Sequence, residues 1–176
     1  MSSNAPSRSV RTLLAQLGHY LDERDGGLVP PIQTSTTFAR GADHEPIGQH
    51  IYSRVSSPGD SLARNIFAEL DGGQDALMFA SGMAAITTLF ETVDAGRHIV
   101  APQVMYHGAQ DWLRRIAERR GIGLTLFDST DPSALGDALT PTTDLVWIEP
   151  ATNPHWDIID IAAAAAAAHS VGARLA

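Results

Sequence analysis

From residue 60 onward, short unbroken apolar runs alternate with longer stretches in which apolar side chains recur every three or four positions. The runs at 76–80, 98–101, 123–127, 144–149 and 173–176 have strand length. They are nearly continuous rather than alternating, as expected of strands covered on both faces. The intervening stretches at 60–70, 82–93, 108–120, 132–139 and 158–170 predict helices. Asp60 or Ser61 and Asp131 stand as N-caps, and Asp71-Gly72-Gly73, Ala95-Gly96 and Gly121 as stops. Strands of about five residues alternating with helices of ten or more predict α/β units on a mostly parallel sheet.

The first 60 residues follow no such pattern. Apart from a short helix predicted over 12–21, they hold turn-formers (Gly26, Gly27, Pro30, Pro31, Gly41, Pro46, Gly48) and the polar β-branched stretch Gln33-Thr34-Ser35-Thr36-Thr37. So irregular a segment is hard to bury on its own domain. With Ile32, Phe38, Ile51 and Tyr52 as apolar anchors, it reads as an arm that packs on another subunit. The division expected is an arm over 1–60 and an α/β domain over 61–176. The alanine run from Ala162 to Ala168 reads as a closely packed buried helix.

Composition narrows the chemistry. A net charge of −8 argues against nucleic acid as a main partner. The chain has no cysteine, so disulfides and thiolate chemistry are excluded. No apolar run is long enough for a membrane span, and residues 1–11 lack the apolar core of a secretion signal; a cytoplasmic protein is the expectation. All 12 basic residues are arginine, which removes the usual imine-forming nucleophile.

In an open α/β sheet, ligands sit beyond the carboxyl ends of the strands. The run at 76–80 turns through Ser81-Gly82 directly into a helix. The unpaired N–H groups of that helix start, with the Ser81 hydroxyl, suit a phosphate or simply form a capped turn. Tyr106, just beyond the run at 98–101, can stack on a flat heteroaromatic ring or stand at a rim in water. Glu149-Pro150-Ala151-Thr152-Asn153-Pro154 is stiffened by two prolines and would hold Asn153 as a donor, or serve only as a rigid turn. Tyr52 and Arg54, two apart in a segment expected to be extended, can grip a phosphate together or be an exposed pair. His98, His107, His155 and His169 lack metal-ligand spacing. Neither a G-x-S-x-G elbow nor a glycine fingerprint of nucleotide-binding domains is present.

Taken in order, these segments resemble the Cys/Met metabolism (transsulfuration) family of pyridoxal-phosphate-dependent enzymes, which includes cystathionine γ-synthase, cystathionine lyases, methionine γ-lyase and homoserine sulfhydrylases. Pro30-Pro31-Ile32-Gln33-Thr34-Ser35-Thr36-Thr37-Phe38 resembles the family's arm, and Tyr52-Ser53-Arg54 the start of its Y-x-R-x-x-N-P-T. Ser81-Gly82-Met83-Ala84-Ala85-Ile86 is similar to its phosphate turn, Tyr106-His107-Gly108 to its ring-stacking site, and Glu149 to Pro154 to its E-x-P-x-N-P turn.

The resemblance implies the N-terminal part of a fold-type I transferase with pyridoxal 5′-phosphate as cofactor. Ser81, Gly82 and Met83 would hold the phosphate, Tyr106 would stack on the pyridine ring, and Asn153 would hydrogen-bond its phenolic oxygen. Tyr52 and Arg54 would reach the phosphate of a neighbouring subunit's cofactor, which implies a dimer or a dimer of dimers.

Two departures stand out. Ser57-Pro58-Gly59 replaces the family's N-P-T, which puts the start of the helix after the arm in question. The Schiff-base lysine, the aspartate that pairs with the pyridine nitrogen and the substrate-binding arginine all belong to a part of the family sequence beyond residue 176. The expectation is therefore a fragment, inactive alone, of an enzyme for β/γ elimination or replacement on sulfur-containing or oxygen-activated amino acids. The rival is a non-catalytic binding or assembly protein that keeps the fold.

Overall fold

The computed structural model describes residues 9–176. The chain divides into two compact units, Met1–Met78 and Phe79–Ala176. In the first unit, α1 (Val10–Ala15) begins at Ser9, whose side chain accepts from the Thr12 N–H. A 3-10 turn at Leu17–His19 follows in place of the last part of the single helix expected over 12–21, because Gly18 takes a left-handed φ of 67°.

Residues 20–57 form a long strap without helix or ladder. It is tied by isolated bridges, Thr37 to Tyr52 and Arg40 to Pro46. Of its expected apolar anchors, Ile32 is 93% exposed and Ile51 is exposed as well, whereas Phe38 and Tyr52 are half-buried and Phe38 packs on His50. Helix α2 (Pro58–Leu70) starts cleanly at the departure from the family pattern. The Ser57 side chain accepts from the Asp60 N–H at 3.2 Å, and Pro58 occupies the first helical turn, where a missing N–H costs nothing. Arg64 of α2 pairs with both carboxylate oxygens of Asp75 and so ties down the segment that follows the helix.

The second unit carries the sheet. Helix α3 (Gly82–Glu91) leads to β1 (His98–Pro102), then α4 (His107–Arg120), β2 (Gly123–Phe127), α5 (Ala134–Ala138), β3 (Thr143–Val146), α6 (Ile161–Ser170) and β4 (Arg174–Leu175). All pairings are parallel, in the order β2-β1-β3-β4. Period-two alternation sorts the central strands onto two cores. Ile99, Ala101 and Leu145 face Phe90 of α3 and Ala109, Leu113 and Ile116 of α4. Val100 and Val146 face Leu135 of α5 and Ala164 and Ala168 of α6.

The structure corrects some expectations. The apolar run at 76–80 is not a strand: it pairs with none of the four strands, and Leu77, Met78 and Phe79 are exposed. Apolar side chains favour a strand, but only a neighbouring backbone makes one. The alanine helix buries only the stripe of Ala164 and Ala168, spaced one turn apart, while Ala162, Ala163 and Ala166 are exposed. Its cap is Asp160, whose carboxylate accepts from the Ala163 N–H at 3.0 Å. Helix α5 is shorter than expected, because Asp131 spends its carboxylate on the backbone and hydroxyl of Ser133 in a turn of its own.

Candidate cofactor site

The strand order creates a crevice. From β1 the chain crosses to β2 on one side; from β3 it crosses to β4 on the other. Loops leaving the carboxyl ends of β1 and β3 therefore diverge, and such a reversal is where open α/β sheets bind ligands. Tyr106 lies beyond β1, and Glu149 and Asn153 lie beyond β3.

Tyr106 is the N-cap residue of α4, with no side-chain cap of its own. Its backbone N–H donates instead to Glu149 Oε2 at 2.8 Å, across the reversal. The other carboxylate oxygen of Glu149 accepts from the Trp147 indole N–H at 3.4 Å. The Tyr106 ring is 37% exposed and packs edge-on against His107, with centroids 4.9 Å apart. Gly108 lies beneath it: a β-carbon there would stand 2.9 Å from Cε1 and 3.3 Å from the phenolic oxygen. One ring face is thus seated by the absence of a side chain at Gly108.

The turn after β3 is held from inside. Thr152 is 2% exposed. Its hydroxyl accepts from the Asp157 N–H at 3.0 Å and donates to the Asp157 carboxylate at 3.2 Å. Ser129 reaches the same carboxylate at 3.4 Å. Asn153, next in the chain, is exposed at the turn, and its bond to Pro154 is cis.

At the start of α3, the Ser81 hydroxyl accepts from the Ala84 N–H at 3.1 Å and the Ser81 carbonyl from the Ala85 N–H. The N–H groups of Gly82 and Met83 have no partner among the described residues. A β-carbon on Gly82 would meet nothing within 4 Å, so the approach to these two donors is open. The Met83 side chain packs against the core that contains Met105 and Ala109, the residues flanking the Tyr106 corner. Free donors at a helix start and open space before them fit an anionic phosphate. An accessible ring and an exposed amide beyond neighbouring strands fit a flat polar heterocycle.

Tyr52 and Arg54 belong to the other unit. Their segment is a turn, not the extended stretch expected, with the Val55 and Ser56 N–H groups both donating to the Tyr52 carbonyl. The turn still unites the side chains. Arg54 Nη2 donates to the Tyr52 hydroxyl at 2.8 Å, and the guanidinium carbon lies 5.0 Å from the ring centroid. Among the described residues no cluster of three His, Cys, Asp or Glu could hold a metal.

In the sequence Glu149 and Gly108 stand out only as parts of motifs. Glu149 carried a signal, a charge closing the apolar run Leu145 to Ile148. Thr152 carried none, since a buried threonine reads like any turn residue.

The sequence profile of the family described as Cys/Met metabolism PLP-dependent enzymes matches residues 11–176. The chain belongs to that family. Pyridoxal phosphate is the cofactor of these enzymes. Bovine cystathionine gamma-lyase is 40% identical over 148 residues, which are 82% of this chain and 36% of that enzyme. A probable cystathionine gamma-synthase of Herpetosiphon aurantiacus is 35% identical over 139 residues, 77% of this chain and 42% of the relative. Among solved structures, metB of Corynebacterium glutamicum superposes with a TM-score of 0.88 at 30% identity, covering 96% of this chain and 44% of its own. The chain therefore spans well under half the length of the relatives it matches, and it matches them with the α/β fold expected.

Proposed function

We propose that this chain is the cofactor-cradling portion of a transsulfuration enzyme. The substrate is an amino acid with sulfur or an activated oxygen on its β- or γ-carbon, and the reaction is elimination or replacement there. The cystathionine lyases and synthases among its relatives support this reaction class.

The observation that carries the reading is the pair of N–H groups at Gly82 and Met83, without a partner among the described residues and beside an open approach, in the unit that also presents Tyr106 and Asn153. Gly82, Met83 and the Ser81 hydroxyl bind the phosphate and fix one end of the ligand. Tyr106 covers one ring face and excludes water from it. Asn153 donates to the ring's phenolic oxygen. Tyr52 and Arg54, already joined, present a hydroxyl and a guanidinium to the phosphate of a second copy's site, and the exposed apolar strap around them is what an intersubunit arm requires. When bound, the cofactor supplies an electron sink for the carbanion formed at the substrate.

The 176 residues contain no lysine, so we assign the imine-forming amine to sequence outside them and expect no turnover from this chain alone. Titration of the chain with pyridoxal 5′-phosphate, followed by quenching of its tryptophans, tests the reading. Saturable binding by the wild type and loss in Gly82→Pro is the expected result. Equal binding by both, or none by the wild type, refutes it. The intact mass of the native gene product tests the second point: a mass well above 18.7 kDa is expected.

A further inference from the structure

Glu149 makes two hydrogen bonds, and both run to groups that bound the crevice. One goes to the backbone of Tyr106 beyond β1, the other to the indole of Trp147, the first residue after β3. Tyr106 begins α4 without help from its own side chain, so its N–H would otherwise be an orphan donor at a corner. A carboxylate accepting an N–H makes a strong, short bond. Trp147 in turn packs edge-on against Phe90 of α3, with centroids 5.4 Å apart and planes at 81°. Glu149 is thus braced by a side chain seated in the core, and it holds the Tyr106 corner from the opposite side of the reversal.

We infer that Glu149 is a positioning residue: its carboxylate ties the Tyr106 backbone to the turn that carries Asn153, so that ring and amide keep a fixed spacing across the crevice. The inference rests on the cofactor reading above. Glu149 does not touch the ligand; it acts through Tyr106. The bond requires an acceptor oxygen and not a charge, which separates this role from an electrostatic one.

The test compares the wild-type chain with Glu149→Gln and Glu149→Ala. Glutamine keeps one acceptor oxygen for the Tyr106 N–H and gives up only the longer 3.4 Å bond from the Trp147 indole, since its other terminal group is a donor; alanine removes both acceptors. Affinity for pyridoxal 5′-phosphate is expected to fall about tenfold in Glu149→Ala, which is about 1.4 kcal/mol, and to return close to wild type in Glu149→Gln. Affinity for inorganic phosphate, which samples only the helix start, is expected to be equal in all three. Hydrogen exchange at the Tyr106 amide is expected to speed up in the alanine variant alone. Undiminished cofactor affinity in Glu149→Ala overturns the inference, as does a glutamine variant as weak as alanine, or a parallel loss of inorganic phosphate. A wild-type chain that ignores the cofactor refutes the functional reading instead. In that case the amide still decides the anchor, since unchanged exchange at Tyr106 in Glu149→Ala overturns it.

Discussion

The ring of Tyr106 lies over the bare backbone of Gly108, so closely that a β-carbon there would come within 2.9 Å of Cε1. The Gly108→Ala chain should fold, since residue 108 lies in the first turn of α4 and alanine favours a helix over glycine. Its tyrosine ring must shift to make room. Losing a stacking partner of about 0.5–1.5 kcal/mol predicts cofactor affinity roughly two- to tenfold lower. Titration with pyridoxal 5′-phosphate beside a thermal melt checks both halves. An unaltered affinity would mean that the ring is free to move without consequence.

Gly82 offers the opposite case. A methyl group there meets nothing in the free protein, so Gly82→Ala should melt no lower than wild type, yet the methyl would stand at the open approach and weaken phosphate binding. Gly82→Pro should fold too, because Ser81 is already extended (φ −159°, ψ 158°) and proline is tolerated at a first helical position. It removes one N–H donor to a charged ligand. At about 1.5–3 kcal/mol for such a bond, affinity should fall roughly ten- to a hundredfold. Isothermal titration with inorganic phosphate measures both.

Arg54 is exposed beside the half-buried Tyr52, so Arg54→Ala should leave the melting temperature of the chain within about a degree or two, as surface substitutions do. Its effect should appear only in an oligomer loaded with cofactor, as weaker retention on dialysis. A marked drop in melting temperature would mean that the pair serves folding instead.

His98 is 6% exposed at the start of β1. Its Nδ1 meets the Thr143 hydroxyl at 2.8 Å and its Nε2 the Thr125 hydroxyl at 2.9 Å, linking β1 to both neighbouring strands. Burial pushes its pKa below the ordinary 6.5. The unfolded chain then binds a proton at a higher pH than the folded one. Stability is therefore complete above pH 6.5 and is lost as pH falls from there through the folded-state pKa. Asp22, Asp75, Asp128 and Asp131, whose carboxyls are held below 3.8 by hydrogen bonds (an Arg24 or Arg64 side chain for the first two, Thr130 and Ser133 for the others), act only in stronger acid. Denaturant melts between pH 8 and 5, at roughly half-unit steps, should show the decline in wild type and a flatter profile in a variant lacking the imidazole.

Thr143→Val removes the hydroxyl that accepts the Thr140 N–H and meets His98. Leaving buried partners unmet should cost about 1–3 kcal/mol in chemical denaturation.

The alternation of runs and periodic stretches was enough to read the α/β class, because strands covered on both faces and helices with one apolar face leave different patterns. The sequence also singled out the Ser81 turn, Tyr106 and Asn153, since each follows an apolar run directly. It misread residues 76–80 because side chains alone do not say whether a partner backbone is at hand. It misread residues 52–54 as extended because a turn closed by two N–H groups on one carbonyl leaves no mark in Tyr-Ser-Arg. The strand order lay beyond it altogether: nothing in the residues says that β3 returns to the far side of β1, and without that order Glu149 and Tyr106 are merely far apart in the chain.

Strand β1 therefore has two different ends. His98 and its threonines sit at one, and the Tyr106 corner opens beyond the other, about 13 Å away along the strand at ~3.3 Å per residue. Changes at the histidine end should alter how firmly the sheet is stitched without moving the crevice, and changes at the tyrosine end should do the reverse. A hardier variant can thus be sought at the histidine end and a different ligand preference at the other, with little trade between them.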